Sequence, residues 1–223
     1  MLSLSATRAN ALAALPTGRA AARPRDGSTD LRQLRHLTKN ALQRILVQVR
    51  EAPGLGASAA GRSLAREIER RVKLSAAISD SLFGLTQCPE PLPERLRTLC
   101  RSVVDLYADP AQIIRVDVVV GGILPGRLEA VAVRVVHELV GNAVKHGMHM
   151  RLIGQILVRL DYDAEGYAVL TVENDGWPID GELAMGDGLH LVAELAASAG
   201  GRMRIRNGTP TAIEVRLPAS ARP

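Results

Sequence analysis

Apolar residues recur at three- and four-residue spacing over two long stretches early in the chain. From Leu31 to Glu51, after an N-cap residue at Asp30, one stripe collects Leu31, Leu34, Ala41, Ile45 and Val49, with Thr38. Pro53-Gly54-Leu55-Gly56 interrupts it. From about Ser58 to Phe83 a second stripe follows: Leu64, Ile68, Val72, Ser75, Ile78 and Leu82. Two amphipathic helices joined by a short loop predict an antiparallel hairpin. One hairpin cannot bury both stripes, so two copies packed as a four-helix bundle, a homodimer, are expected.

Past Cys88-Pro89-Glu90-Pro91-Leu92-Pro93 the period changes. The pattern predicts a helix over Pro93–Tyr107, a strand over Gln112–Val120 and a helix over Gly126–His146. Strands over Gln155–Tyr162 and Tyr167–Glu173, a helix over Gly188–Ala199, and strands over Arg202–Arg206 and Ala212–Leu217 complete the series. Alternation such as Ile156-Leu157-Val158-Arg159-Leu160 marks half-buried strands. The predicted class is α+β. The helical hairpin, as a dimeric four-helix bundle, precedes a two-layer α/β sandwich with helices on one face of a mixed sheet. The expected division is a disordered tail at 1–29, the hairpin at 30–86, a linker at 87–93, the sandwich at 94–218 and a short tail at 219–223. No internal repeat is present.

A length of 223 residues suits two small domains, and an apolar fraction of 47% can fill their cores. Aromatics make up only 2%, so the core is built from Leu, Val, Ile and Ala. The same scarcity removes the stacking platforms of a single-strand nucleic-acid binder. Part of the +5 net charge belongs to Arg8, Arg19, Arg23 and Arg25 near the start, so no nucleic-acid partner is expected. Cys88 and Cys100 have neither metal-ligand spacing nor a disulfide framework, which fits a reducing cytosol. No run reaches the ~18 to 20 apolar residues of a membrane span. The Ala- and Arg-rich start is broken by Arg8 and Asn10 and lacks a clean cleavage site. It reads as a tail with one short helix around Asn10 to Leu15, and a cytoplasmic protein is expected.

Candidate chemistry lies in three stretches. In Val136-His137-Glu138-Leu139-Val140-Gly141-Asn142-Ala143-Val144-Lys145-His146-Gly147, helical spacing puts Glu138, Asn142, Lys145 and His146 on one face. Leu139, Ala143 and the preceding Val135 point to a core. A carboxylate one turn before an Asn can hold hydrated Mg²⁺, and a Lys one turn later can reach phosphate. A surface helix with a mixed polar face accounts for the same residues. Val172-Glu173-Asn174-Asp175-Gly176-Trp177-Pro178 ends a strand in an acidic, Gly-containing turn. Gly186-Asp187-Gly188-Leu189-His190 then opens a helix, where glycines let backbone N–H groups approach phosphates. In this order the three stretches resemble the N box and the two glycine boxes of the GHKL ATP-binding domain. That superfamily holds histidine kinases, gyrase-type ATPases and related chaperones.

His36 falls roughly opposite the first stripe, on the side of Asn40 and Gln43, and is predicted exposed in mid-helix. A solvated surface histidine would look the same. Its surroundings, His36-Leu37-Thr38-Lys39-Asn40-Ala41-Leu42-Gln43, resemble the phosphoacceptor helix H-R-x-K-N-x-L-Q of a histidine-kinase subfamily, with Leu37 in place of Arg. From Leu31 to Leu217 the chain can be laid on that family.

The resemblance implies transfer of the ATP γ-phosphoryl group to His36 and then to an aspartate of a response-regulator receiver domain. It implies that Glu138 polarises or deprotonates, that Asn142 ligates Mg²⁺, and that Lys145 and His146 contact phosphate. Asn174, Asp175 and Gly176 would hold adenine, while Gly186, Gly188 and Leu189 would offer backbone amides. Asn40, one turn after His36, would orient a water for dephosphorylation of the regulator. Against the family's D-x-G-x-G, this chain has Asn174 for Asp and Pro178 for the second Gly. The segment Ile179 to Met185 makes a very short lid, and His190 replaces a common Gly or Gln. Weak nucleotide binding is therefore expected. A histidine phosphotransfer or scaffold protein with a weakened or lost ATP site is the alternative function. Trp177 is assigned to covering the core or stacking on adenine, with the core preferred. GHKL protein kinases and anti-sigma factors lack the preceding His-bearing hairpin.

Overall fold

Two amphipathic helices and a sheet backed by three more helices account for the computed structural model, which describes residues 27–83, 90–179 and 186–219. In chain order the elements are α1 (Gly27–Glu51), α2 (Ala59–Phe83), α3 (Leu92–Tyr107), β1 (Ile113–Val120) and α4 (Gly126–Asn142). A π-helical turn (Ala143–Gly147) continues α4, followed by β2 (Ile153–Tyr162), β3 (Tyr167–Asn174), α5 (Asp187–Ser198), β4 (Arg202–Arg206) and β5 (Thr211–Pro218). The end of the expected linker, Leu92 and Pro93, already belongs to α3. The expected tail helix, residues 87–89 of the expected linker and residues 180–185 of the expected lid lie outside the described residues. So do the side chains of Leu31, Leu34 and His36, although all three belong to α1.

The sheet is mixed, in the order β1-β2-β3-β5-β4. β1 and β2 run parallel, joined by α4, and every other pair is antiparallel. One face is apolar. Ile156, Val158 and Leu160 of β2, Ala168 and Leu170 of β3, and Val215 and Leu217 of β5 are fully buried there. Leu96, Leu99 and Val103 of α3, Val133, Val136 and Leu139 of α4, and Val192 and Ala196 of α5 pack in the same core. Among the described residues the other face is open and mixed, polar over most strands but with Ile113, Val119 and Ile153 exposed on β1 and β2. On the edge strand β4 the alternation leaves Arg202, Arg204 and Arg206 exposed, in register with Arg216, Glu214 and Ala212. This is the two-layer, one-sided arrangement that the alternation predicts. Among the described residues no helix is long and apolar enough to cross a membrane.

In the hairpin, Ser58 caps α2 by accepting the Gly61 N–H at 2.9 Å. Arg62 Nη1 ties the loop down through the Gly56 carbonyl at 2.8 Å. Within one chain only part of the predicted α1 stripe faces α2. Thr38, Leu42, Leu46 and Val49 are half-buried, whereas Ala41 is exposed and Ile45 is 41% exposed. Along α2 burial grows toward the C-terminus: Leu64 is 53% exposed, while Val72 and Ile78 are buried. The cause is α3. Ile78 enters the same core as Leu92 and Leu96. Arg95 Nε donates to the Ser81 carbonyl at 2.5 Å and Nη2 to that of Leu82 at 3.3 Å. Arg70 Nη1 reaches the Asp105 carbonyl at 2.8 Å. Part of the apolar surface expected to need a second copy is thus covered within the chain.

Candidate functional site

The end of α4 departs from the predicted continuous helix. After Asn142 the backbone widens by one residue, and Met148 N–H donates to the Ala143 carbonyl five residues back at 2.8 Å. Such π turns recur at functional sites because they re-aim a few side chains without ending the helix. Here the turn is pinned from the far side. Trp177 N–H donates to the Gly147 carbonyl at 2.8 Å. A Cβ on Gly176 would overlap that carbonyl, and a Cβ on Gly147 would overlap Asn174 Oδ1. Both glycines are needed for this close approach.

Between the π turn, the end of β3 and the start of α5 lies a cleft of about 650 Å³. Of the residues singled out in the sequence, Asn142, Lys145, His146, Asn174, Gly186, Gly188 and Leu189 line it. Glu138 sits behind Gly188: a Cβ there would stand 3.2 Å from Glu138 Oε2 and 3.1 Å from Asn142 Nδ2. The carboxylate, the amide and the glycine backbone therefore converge at one end. Glu138 Oε1 also lies 3.0 Å from His137 Nδ1, a contact that fixes its rotamer. Lys145 has an alternative partner, its ammonium standing 4.0 Å from the centre of the Tyr107 ring. Such an exposed cation–π contact is worth only about 0.5–1 kcal/mol, so phosphate could draw the side chain away.

Asn174 forms the other end. It is only 9% exposed, and its Oδ1 accepts the Gly176 N–H at 3.1 Å. Asp175 is turned out of the cleft. Its Oδ1 accepts the Gln155 N–H at 2.8 Å, and Oδ2 lies 3.6 Å from Arg151 Nη2. Gly176 shapes the turn without lining the cleft. Trp177 does not cover the core: it is 59% exposed, lines the cleft and donates its indole N–H to the His149 carbonyl at 2.9 Å. The preceding Gly176 presses against the π turn, which leaves the indole outside. His36 and Asn40 belong to α1 rather than the cleft, and Asn40 is exposed. Sequence reasoning did not single out His149, Thr211 or Ile213, which also line the cleft. Thr211 arrives through register alone, as the β5 partner of Asn174.

Asn142 and Glu138 present an amide and a carboxylate, hard oxygen donors of the kind Mg²⁺ takes together with substrate phosphates. No group of three or more His, Cys, Asp or Glu side chains among the described residues could hold a metal unaided. The donor set therefore fits an ion that arrives with a nucleotide.

Residues 128–221 match the family of histidine kinase-, DNA gyrase B-, and HSP90-like ATPases. No curated protein matches the chain. Among solved structures, the histidine kinase domain of the Erythrobacter litoralis EL346 blue-light activated histidine kinase is similar at a TM-score of 0.55 and 19% identity. That match covers 87% of this chain and 94% of the other. A structure of the longer EL346 kinase is similar at 0.55 and 20% identity over 86% of this chain, which spans 60% of that kinase. Residues 128–221 thus match the histidine kinase-, DNA gyrase B- and HSP90-like ATPase family, and the chain shares the fold of a histidine kinase domain.

Proposed function

We infer that the chain is a protein-histidine kinase of two-component signalling, which moves the ATP γ-phosphoryl group to His36 and on to an aspartate of a response regulator. The observation that carries this reading is the cleft, which joins Asn142, Gly188 and the buried Asn174 within an ATPase-family domain. In this reading the base sits at the Asn174 end and the phosphates at the Asn142 end. Gly186, Gly188 and Leu189 bring the start of α5 to them, where the helix dipole favours negative charge, although the Leu189 N–H itself donates to the Gly186 carbonyl at 2.9 Å. Asn142 ligates Mg²⁺, which when bound supplies charge neutralisation on the phosphates. Lys145 and His146 add positive charge, and Asp175 and Gly176 hold the turn that seats the base.

Neutral imidazole is a competent nucleophile, with an ordinary pKa of about 6.5. A ring nitrogen of His36 attacks the γ-phosphorus, the bond to the ADP oxygen breaks, and Glu138 is placed to polarise or accept the ring proton. Asn40, one turn after His36, orients a water for attack on the regulator's aspartyl phosphate, which releases phosphate and the free aspartate. Residues 30–86 form the histidine-bearing hairpin and residues 94–218 the nucleotide domain, joined by 87–93. Exposed Leu37, Ile45, Val47 and Leu64 on the hairpin support a homodimer built as a four-helix bundle. The buried free thiol of Cys100 fits work in the cytoplasm.

A second reading, phosphotransfer without ATP, draws on the Lys145 ammonium held at Tyr107 and on the neutral Asn174. Incubation with γ-labelled ATP and Mg²⁺ separates the two. The kinase reading expects acid-labile, base-stable label on the native protein and none on His36→Gln. Label acquired only from a phosphorylated regulator favours the second reading. Label that persists on His36→Gln removes His36 from both.

A further inference from the structure

The two edges of the sheet are not alike. Strand β4 carries its row of arginines along one, whereas β1 forms the other and pairs only with β2. β1 is eight residues long, with neither Pro nor Lys, two residues that ordinarily keep an edge strand from pairing. Two bonds fix the direction of its backbone groups. Ile113 N–H donates to the Leu152 carbonyl and, just past the strand, Gly121 N–H to the Leu160 carbonyl, each at 2.7 Å. Odd-numbered residues therefore turn toward β2, and the N–H and C=O groups of Ile114, Val116 and Val118 point to the free edge. No other strand meets them among the described residues. Their side chains are half-buried and line a groove of about 310 Å³ with Arg97, Arg101 and Val104 of α3. The edge is thus open on the helix side as well.

The order of side chains says what fits there. On the open face β1 presents Ile113, Arg115, Asp117 and Val119, all exposed except the half-buried Asp117. A second β1 laid antiparallel and centred on Val116 sets Arg115 against the partner's Asp117, and Asp117 against the partner's Arg115. The same register sets Ile113 against the partner's Val119, and Ile114 against the partner's Val118 on the helix face. Each pair is then apolar or of opposite charge, the combinations that stabilise neighbouring strands. Shifting the register by two residues either way would set Arg115 on Arg115 or Asp117 on Asp117. Within one chain Arg115 Nε lies 2.9 Å from Asp117 Oδ2, so both charges already stand together at the centre. At this register the free-edge groups also pair, Val116 with the partner's Val116 and Ile114 with the partner's Val118. α3 packs against both α2 and β1, so the hairpin and this edge lie on the same side of the sheet domain, away from β4. An edge of this length is too small to hold two chains alone, but a copy already held by the hairpin would sit at high effective concentration. We propose that in the hairpin dimer the two sheets join antiparallel through β1, about Val116, into one sheet with five strands from each copy. The proposal rests on the homodimer reading.

Site-resolved hydrogen exchange of the full chain tests it, at a concentration where light scattering reports a dimer. The amides of Ile114, Val116 and Val118 are expected to exchange at least about tenfold more slowly there than in the monomer produced by Ile45→Asp or by dilution. Those of Arg115 and Asp117, turned toward β2, should be protected in both. Arg115→Asp sets like charges opposite one another and should remove the difference, and Arg115→Asp combined with Asp117→Arg should restore it. A native dimer whose three edge amides exchange as fast as in the monomer overturns the proposal and leaves the bundle standing. A native chain that is monomeric overturns the two together. Protection that persists in the monomer means that the chain covers its own edge, which also overturns the proposal. Protection indifferent to Arg115→Asp in a folded dimer removes the register.

Discussion

Asn142 and Cys100 show how differently one environment can treat two polar side chains. Asn142 is half-buried at the mouth of the cleft, close to Glu138 and Gly188. Asn142→Ala is expected to weaken Mg²⁺-dependent nucleotide binding by about tenfold or more, the worth of a contact to a charged group. Calorimetry with and without EDTA checks this, since metal-independent binding should be much less affected. Cys100 is fully buried against Leu96 and Val103, and burial pushes its thiol up to about 12 by disfavouring the thiolate. Iodoacetamide at pH 8 should leave Cys100 unmodified in the native protein and modify it after denaturation. Peptide mass mapping reads the difference.

Glu67, Arg70 and Arg71 form a small network on α2. Hydrogen bonds from Arg70 and then Arg71 hold the Glu67 carboxyl down at about 2. Because the folded pKa lies below the unfolded one, the network stabilises the hairpin fully above about pH 4.5 and is lost as pH falls toward 2. Thermal melts of the native protein and Glu67→Gln should differ at pH 7, converge below pH 4.5 and coincide near pH 2. Salt should shrink the difference, since Glu67 is substantially exposed. At this scale much was legible in advance. Strand alternation located all five strands to within a residue or two because each has one face against the helices. Which row of α1 faces α2 was not legible, because an isolated helical pattern cannot tell which of two adjacent apolar rows faces the neighbour within the chain. Leu42 and Leu46 face inward while Ala41 and Ile45 do not. The π turn was invisible, since a contact between Gly147 and Gly176, far apart in sequence, determines it. The three polar stretches were visible as motifs, whereas Thr211 was not, having no local pattern to mark it.

Across the whole molecule, the hairpin keeps apolar surface at Leu37, Ile45, Val47 and Leu64 that nothing among the described residues covers. At roughly 25 cal/mol per Å², burying it against a second copy offsets association costs. Light scattering should report a dimer at tens of micromolar, and Ile45→Asp should shift it to monomer without unfolding the sheet. A monomeric native protein would remove the bundle from the assembly. The open rim of the sheet has the opposite character. Among the described residues strand β4 ends the sheet with an unpaired backbone edge, and Arg202, Arg204 and Arg206 stand along it. Two such rims brought together would face like charge with like, so strand-to-strand growth from one copy to the next is blocked. In the proposed dimer the two surfaces would sort the molecule's encounters. One apolar surface would be offered to a copy of the chain while the edge most prone to runaway stacking is electrically closed, so a concentrated population would pair off without forming fibres.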